Sequence, residues 1–332
     1  MSNTKFINAL ERKPQACPPI WLMRQAGRYH DHYQSLKKDH TFEELCKNPN
    51  LAAETAMGPI NEFDFDVAIL FSDILFPLEG LGLPLKFSPG PIFGEFINKD
   101  NYHLYSDQNK AIQHMSFQKK AITLTKEKLH KSKSLIGFVG GLWTLLRFAV
   151  DKKKQNFLVE DFHFNFLEET LLPLIKKNIQ LQLDAGAEIV MVFDSGLKDL
   201  NISLFKDKYI FYIKELSEAF PNKIGYYCRG KNIEELQLLS SFSLAGLGFD
   251  NNIDITSCLS SYKNGFIQGN FDEKKMLLDE NSLIKAINDY CDYIESNGIT
   301  TGWVCGLGHG IDKNTPEKNV HLFIDIIRKR FK

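Results

Sequence analysis

Short apolar runs alternate with longer amphipathic stretches along the whole of this 332-residue chain. Each run has four to six residues, the length of a buried strand, whereas the stretches between runs repeat apolar residues at the spacing of an amphipathic helix. Eight predicted strands occupy residues 20–23, 67–71, 135–139, 188–193, 224–228, 244–249, 265–268 and 301–305. Strands that alternate with helices form parallel sheets. Eight such units in a chain of this length favour an α/β fold, a single-domain (β/α)8 TIM-type barrel over residues 1–332.

The stretches between the runs predict the helices that would cover this barrel. The sequence Thr41-Phe42-Glu43-Glu44 is typical of a helix start, because a threonine cap and a glutamate three residues later satisfy backbone N–H groups reciprocally. Further predicted helices occupy residues 51–62, 108–130, 157–183, 204–220, 233–239, 253–259, 280–296 and 319–330. No linker or low-complexity segment divides the chain, so we expect one domain.

Polar side chains follow the predicted strands, at the points where the strands end. They are Arg24, Asp73, Asp194, Ser195, Arg229, Asp250, Asp272 and His309. The carboxyl ends of the strands of a barrel meet at one face, and the active sites of this fold lie there. The sequence therefore predicts one polar site at that face.

The composition narrows the range of functions. With 43% hydrophobic and 24% charged residues and a formal net charge of -1, the chain gives no electrostatic reason to expect nucleic acid or an anionic membrane as a partner. The lysine clusters 119–120 and 152–154 contain no interleaved aromatic residues, so we interpret them as solvated faces. The apolar stretches are too short to span a bilayer, and the first residues lack a signal-peptide core, so we expect a cytoplasmic protein.

The six cysteines are scattered and form no C-x-x-C pair. In a chain of this length without a signal peptide, this pattern predicts reduced thiols. Cys305 and His309 are four residues apart, which would be half of a zinc site, but no second close pair of ligands accompanies them. We therefore predict no metal.

The segment from Pro19 to Tyr29 contains the densest chemistry. Arg24 and Arg28 lie four residues apart with Gly27 between them. Gly27 can adopt backbone angles closed to other residues, so the segment can turn tightly and direct both guanidinium groups the same way. Each guanidinium offers a planar fork of donors that matches carboxylate or phosphate oxygens. Taken alone, the pair is also what a surface loop with two solvated arginines would contain.

This segment, with the sequence PIWLMRQAGRY, resembles the N-terminal signature of the uroporphyrinogen decarboxylase family. Further resemblance to the family lies at residues 71–75 (FSDIL), 141–145 (GLWTL), 265–272 (GFIQGNFD), 307–311 (LGHGI) and 315–320 (TPEKNV). The resemblance therefore runs from end to end and concerns the whole chain.

The resemblance implies an enzyme. The family decarboxylates the four acetate side chains of uroporphyrinogen III to give coproporphyrinogen III in haem biosynthesis, with no cofactor and no metal. Loss of CO2 from a pyrrolic acetate leaves electrons that need a sink, and protonation of the pyrrole ring makes that sink as a cation. A carboxylate that faces the pyrrole N–H groups would hold the macrocycle and stabilise this cation. Asp73 matches the family residue in this role, and its alternative is to cap a following helix.

The resemblance also implies the other site residues and a homodimer. Arg24 and Arg28, with Asp73, match the catalytic residues, and the two arginines would bind a substrate that carries eight carboxylates. In one interpretation Arg24 donates or relays the proton, although a guanidinium is a poor general acid because its pKa lies far above neutral. His309 and Ser195 match residues that contact substrate carboxylates. The other residues predicted to bind substrate are Gln25, Ala26, Gly27 and Phe148.

The chain departs from the family pattern in several places, and two of them concern predicted substrate-binding residues. Phe148 stands where the family usually has an active-site tyrosine, so a hydroxyl donor is missing or is replaced by a neighbour such as Tyr226 or Tyr227. Ser195 is followed by residues that differ from the usual Trp-Ala-Gly. These changes are typical of a divergent member, with a slower reaction or a changed preference.

Three alternatives remain open at this point. The first is a zinc-dependent methyltransferase of the same superfamily that acts on corrinoid or thiol substrates. The second, suggested by Phe148, is a non-catalytic tetrapyrrole-binding relative. The third is a barrel whose polar loops are only solvated.

Overall fold

The protein is built around a parallel β-sheet, described by a computed structural model for residues 3–151, 153 and 157–332. The strands are β1 (Val67–Ile69), β2 (Leu85–Phe87), β3 (Pro91–Phe93), β4 (Ser134–Gly140), β5 (Val190–Asp194), β6 (Ile224–Cys228), β7 (Gly246–Phe249), β8 (Phe266–Phe271) and β9 (Trp303–Leu307). The helices are α1 (Thr4–Leu10), α2 (Asp31–Asp39), α3 (Phe42–Lys47), α4 (Pro49–Phe63), α5 (Phe76–Gly80), α6 (Gln108–His114), α7 (Ser116–Lys128), α8 (Leu142–Ala149), α9 (Asp161–Asn165), α10 (Leu172–Asp184), α11 (Ile202–Leu204), α12 (Ile210–Ala219), α13 (Ile233–Gln237), α14 (Ile255–Ser261), α15 (Glu280–Ser296) and α16 (Glu317–Arg330).

Seven of the strands form one curled sheet in the order β1-β4-β5-β6-β7-β8-β9, and every neighbouring pair is parallel. Each connection passes through at least one helix, as parallel pairing requires. Strands β6 to β9 are buried along their whole length, because helices cover one face of the sheet and the curled interior fills the other. Strands β2 and β3 form a separate antiparallel hairpin. All parallel strands therefore direct their carboxyl ends to one edge.

The predicted strand at residues 20–23 is only a bridge in the structure. Ile20 makes one parallel bridge to Cys305 of β9, and the N–H of Trp21 donates to the Cys305 carbonyl at 3.3 Å. On its other side the Ile20 carbonyl accepts from the N–H of Asp66, at 3.0 Å, just before β1. The chain leaves this ladder after Trp21 because a tight turn begins there. In the described residues the sheet thus has seven strands, not the eight that the apolar runs predict.

The other seven predicted strands are confirmed with bounds shifted by a few residues, and 224–228 matches β6 at both ends. The predicted helix at 157–183 is shorter and consists of α9, the π-helical segment Phe166–Leu171 and α10. The predicted start of α3 is confirmed. The N–H of Glu44 donates to Thr41 Oγ1 at 3.2 Å, and the N–H of Thr41 donates to Glu44 Oε2 at 2.7 Å.

Two further expectations concern the surface. None of the helices in the described part of the chain combines the length and the apolar character that crossing a bilayer requires. Lys152 and Lys154, which belong to a predicted solvated face, lie outside the described residues, as do the first two residues of the chain.

Candidate active site

The two predicted arginines lie in a turn that starts where the chain leaves the sheet. The N–H of Gln25 donates to the Leu22 carbonyl at 3.0 Å and closes the turn. The side chain of Gln25 is buried, accepts from the N–H of Leu22 at 3.2 Å and donates to the Val67 carbonyl of β1 at 3.0 Å. The Gln25 amide is therefore engaged inside the protein, where it anchors the turn to the sheet.

Arg24, not Gly27, is the left-handed residue of this turn. Arg24 has φ = +65°, a conformation that costs a residue with a side chain about 1 kcal/mol or more. Gly27 has no positive φ; a Cβ there would lie 3.0 Å from the Arg24 carbonyl oxygen, a tight contact that favours glycine at this position. Gly27 and Ala26 are half-buried, and Arg24 and Arg28 both remain accessible to solvent. The backbone of the turn thus presents both guanidinium groups outward.

Asp73 follows β1 and is half-buried. Its Oδ1 accepts from the N–H of Leu75 at 2.8 Å, immediately before α5 begins. The preceding Ser72 is held by the amide of Gln118, which donates to its hydroxyl at 3.0 Å. This bond closes a turn ahead of α5, which begins at Phe76 with Leu75 as its N-cap and no side-chain capping bond, so the alternative interpretation of Asp73 as the cap of this helix is wrong. The bond from Leu75 uses one oxygen and helps to fix the direction of the carboxylate.

The charges of this region are close enough to affect one another. Although the Arg24 side chain remains accessible to solvent, the protein atoms packed around its guanidinium partly dehydrate it and lower its pKa, which is the largest effect; Asp73 opposes this change, while the nearby cations Arg28 and Arg229 reinforce it. Within the described residues, no carboxylate lies within ion-pair distance of the guanidinium groups of Arg24, Arg28 or Arg229, although twelve lysine or arginine ion pairs occur elsewhere. Arg24, with Arg28 and Arg229 near it and the charge of Asp73 opposing them, gives this edge of the sheet an excess of positive charge of the kind that suits anions.

His309 lies two residues beyond β9 and is half-buried. Burial, reinforced by Arg229 and Arg24, lowers its pKa to about 4, so the imidazole is neutral at physiological pH. Gly310 allows the loop to lie against Arg24, because a Cβ at that position would be 2.5 Å from Arg24 Cδ. The structure thus brings together Arg24, Asp73 and His309, as the sequence predicted.

Asp194 has a different role from the one its position suggests. It is fully buried at the end of β5, where Thr144 donates to Oδ1 through both its N–H (2.9 Å) and its hydroxyl (2.7 Å). The hydroxyls of Tyr209 and Tyr226 both donate to Oδ2. Burial raises the pKa of Asp194 while these donors oppose the rise. Asp194 therefore joins α8 to the sheet as a structural acceptor and does not line the site.

The network around Asp194 also positions Ser195 and Phe148. Gly196 N–H, next to Ser195, donates to the Thr144 hydroxyl at 2.8 Å, and Phe148 lies one helical turn further along α8 from Thr144. Ser195 and Phe148 are both half-buried. The ring of Phe148 lies 6.4 Å from that of Phe93 in the β2–β3 hairpin.

The two tyrosines proposed to compensate for Phe148 use their hydroxyls elsewhere. Tyr226 donates to Asp194 at 2.7 Å, and Tyr227 donates to the Gly308 carbonyl at 2.9 Å. Tyr227 contributes to the site through its ring, which stands edge-on to His309 at 6.5 Å. No spare tyrosine hydroxyl is therefore supplied by either residue.

Asp272, another predicted site residue, caps the short helix Glu273–Leu277 by accepting from the N–H of Lys274 at 2.9 Å. Cys305, once half of a potential zinc pair, is fully buried in β9. Among the described residues, no group of three or more His, Cys, Asp or Glu side chains is placed to hold a metal ion.

Comparison with known proteins places this arrangement in a family context. The model of the family described as uroporphyrinogen decarboxylase (URO-D) matches residues 1–330. The chain is 33% identical to a uroporphyrinogen decarboxylase of Orientia tsutsugamushi (strain Ikeda), covering 98% of each chain. It is 31% identical to a uroporphyrinogen decarboxylase of Helicobacter hepaticus, covering 98% of this chain and 99% of the relative.

The fold is also similar to that of a solved structure with a different function. A methyltransferase from Methanosarcina mazei superposes with a TM-score of 0.78 at 16% identity, covering 99% of both chains. At this level of identity the similarity concerns the fold alone.

Proposed function

We propose, from the premise that this chain belongs to the uroporphyrinogen decarboxylase family, that the edge of the sheet around Arg24, Asp73 and His309 is the active site of a carboxy-lyase of tetrapyrrole biosynthesis. The enzyme decarboxylates the four acetates of uroporphyrinogen III to give coproporphyrinogen III. The observation that carries the assignment of the site is the group of arginines without ion-pair partners among the described residues. A substrate with eight carboxylates needs such a group, because a chain with a net charge of -1 offers no general attraction.

Each decarboxylation takes up one proton and releases one CO2. A pyrrole ring carbon accepts a proton and the ring becomes cationic. The bond between the acetate CH2 and its carboxylate then breaks, and its electron pair moves toward the ring. The exocyclic carbon takes a proton to become methyl as the ring carbon loses its own. Asp73 stabilises the cationic ring, because a fixed carboxylate at a partly dehydrated site lowers the energy of a positive charge that develops beside it.

Arg24 and Arg28 bind carboxylates of the macrocycle and hold the reacting ring against Asp73. We assign the proton relay to Arg24, since burial and the neighbouring Arg28 and Arg229 lower its pKa from the usual value. His309, neutral at physiological pH, and Ser195 donate hydrogen bonds to further carboxylates. Gln25, Ala26 and Gly27 form the backbone of the arginine turn, and Phe148 provides an apolar wall.

We extend the proposal to the overall architecture. Residues 1–332 act as one unit, and the bridge between Ile20 and Cys305, with the bond from Asp66 to Ile20, supports a barrel in which this segment fills the eighth position. The homodimer and the cytoplasmic location follow from the family resemblance. Light scattering of the purified protein and fractionation of its host cells test these two points.

The activity is tested by anaerobic incubation of the chelator-treated protein with uroporphyrinogen III, followed by separation of the products by number of carboxylates. We expect stepwise conversion from eight carboxylates to four without added metal. Binding without conversion would identify a non-catalytic tetrapyrrole-binding relative. Methyl transfer to a thiol that requires zinc would identify the superfamily's other activity.

A further inference from the structure

Arg229 is a third cation of the site to which neither the sequence motifs nor the proposed mechanism gives a role. It directly follows β6, between the buried Cys228 and Gly230. Its position at the carboxyl end of a central strand places it at the edge where Arg24 and His309 lie. It lies near enough to both to lower their pKa values. Arg229 is therefore part of the same charged group.

The loop that contains Arg229 is rigidly positioned. The N–H of Gly230 donates to Asp250 Oδ2 at 2.8 Å, and Asp250 is itself buried at the end of β7. The other oxygen of Asp250 accepts from the N–H and the side-chain amide of Asn252, both at 3.1 Å. Gly230 has φ = +68°, and a Cβ there would lie 2.6 Å from Lys198 Cβ. Backbone and neighbours thus fix the starting point of the Arg229 side chain.

Arg229 differs from the cation two residues further along. Lys231 is buried, forms an ion pair with Glu235 at 3.1 Å and donates to the Leu200 carbonyl at 2.9 Å. Its charge is therefore used within the fold. Arg229 is half-buried and forms no ion pair with a described carboxylate. A cation that is partly dehydrated and held in a rigid loop without an acidic partner is suited to bind an anion from outside.

The chemistry of the neighbours selects the kind of anion. Arg229 and Arg24 provide two guanidinium forks. His309, whose pKa both arginines lower, provides a neutral ring that can donate one hydrogen bond. Asp250 adds a negative charge that opposes the two arginines at His309, while its oxygens already accept hydrogen bonds from Gly230 and Asn252. A carboxylate group matches the planar fork and the single extra donor.

We propose that Arg229 binds, together with His309, a carboxylate of the tetrapyrrole that does not react while it is bound there. The inference rests on the proposed function. A guanidinium bound to the reacting acetate would stabilise the carboxylate that has to leave as CO2 and would oppose the reaction. A guanidinium bound to another carboxylate of the macrocycle stabilises substrate and transition state equally. Arg229 thus sets the affinity and orientation of the macrocycle at each of the four steps.

The test compares Arg229→Met and Arg229→Lys with the wild type in steady-state kinetics for uroporphyrinogen III. For Arg229→Met we expect KM to rise about tenfold or more, the effect of one lost charged hydrogen-bonding pair, with kcat within about twofold of the wild type. Arg229→Lys keeps the charge but loses the planar pair of donors, so its KM should lie between those of the wild type and Arg229→Met. Lys263→Met, which removes an exposed cation from the opposite end of the sheet, is the matched control.

Binding of the stable oxidised product coproporphyrin, followed by tryptophan fluorescence, gives a readout that needs no turnover. We expect the same loss of affinity for Arg229→Met and no loss for Lys263→Met. Unchanged KM and unchanged coproporphyrin affinity in Arg229→Met, with its far-UV circular dichroism intact, would overturn the inference, as would a fall in kcat at constant KM. An inactive wild type would instead contradict the proposed function, while the coproporphyrin titration would still decide the role of Arg229.

Discussion

The two ends of the parallel sheet both carry cations, but they use them differently. At the carboxyl end, Arg28 and Arg229 lie near Arg24, and none of the three forms an ion pair with a carboxylate of the described residues. At the amino end, a cavity of about 1080 Å3 is lined by six lysine and arginine side chains. The volume of this cavity and its number of cations would by themselves suggest a binding site at the amino end. The hydrogen bonds of the cations favour the opposite conclusion.

Four of those six cations at the amino end are bound to the protein itself. Arg12 donates to the carbonyls of Leu259 (2.8 Å) and Gly265 (3.2 Å). The other three donate to backbone or carboxylate oxygens: Lys126 to Gly186, Lys133 to Asp64 and Lys223 to Glu188. These cations close the ends of loops and contribute to stability. A site for an anionic substrate is marked by cations that the fold leaves without partners, and a basic cavity alone does not mark it.

Replacement of Asp73 tests the role of the carboxyl end most directly. Asp73→Asn keeps the acceptor for the Leu75 N–H but removes the negative charge. We expect kcat to fall about 10² to 10³-fold, because the cationic ring loses its fixed counter-charge. The measurement is the rate of the first decarboxylation. Asp325→Asn, at an exposed aspartate of α16, should leave the rate unchanged, and near-normal turnover in Asp73→Asn would remove Asp73 from the mechanism.

A charge-conserving change at Arg24 tests the geometry of the fork. Arg24→Lys retains a cation but loses the planar pair of donors, so we expect kcat/KM to fall by about tenfold to a hundredfold. Arg330→Lys, at a surface arginine paired with Asp292 and Glu295, is the control. Normal turnover in Arg24→Lys would show that any cation suffices and would end the assignment of the relay to a guanidinium.

The amino end should show the opposite result. Arg12→Met removes two donors and leaves the carbonyls of Leu259 and Gly265 without them. We expect the free energy of unfolding in urea to fall by about 2 kcal/mol, with KM and kcat unchanged. A rise in KM at unchanged stability would show that this end also binds substrate, and the contrast between the ends would fail.

The smallest expected effect concerns His309 and pH. In the folded protein its pKa is about 4, below the unfolded value of 6.5, so the unfolded chain binds more protons between these values. Stability should therefore be constant with respect to this group above about pH 6.5 and decrease as the pH falls toward 4. His309→Gln should reduce this slope, measured by urea unfolding at pH 7, 5.5 and 4.5. An unchanged slope would place the imidazole in a more solvated setting.

The position of the candidate residues at the carboxyl ends of strands could be predicted from the sequence, because it depends on local patterns. The run 224–228 and the Thr41 capping box are local signals, and both are confirmed. The role of Asp194 could not be predicted. Its four hydrogen bonds come from Thr144, Tyr209 and Tyr226, which lie between 15 and 50 residues away along the chain.

The arginine turn and the first predicted strand also depend on contacts that a local sequence pattern does not show. The pattern at 20–23 is apolar enough for a strand, but a buried side chain, Gln25, takes the N–H of Leu22 that a longer ladder would need. The sequence predicts the unusual backbone geometry at Gly27, but Arg24 is the residue of this turn with a positive φ. Such outcomes depend on partners that pack together only in the folded chain.

The left-handed backbone of Arg24 has a consequence for directed evolution. A glycine at this position would relax the backbone, and would gain stability by an amount on the order of 1 kcal/mol at the expense of the guanidinium. A library of variants sorted for heat resistance alone would therefore accumulate Arg24→Gly and lose the enzyme. Selection for tetrapyrrole synthesis would retain the arginine and tolerate the less stable turn.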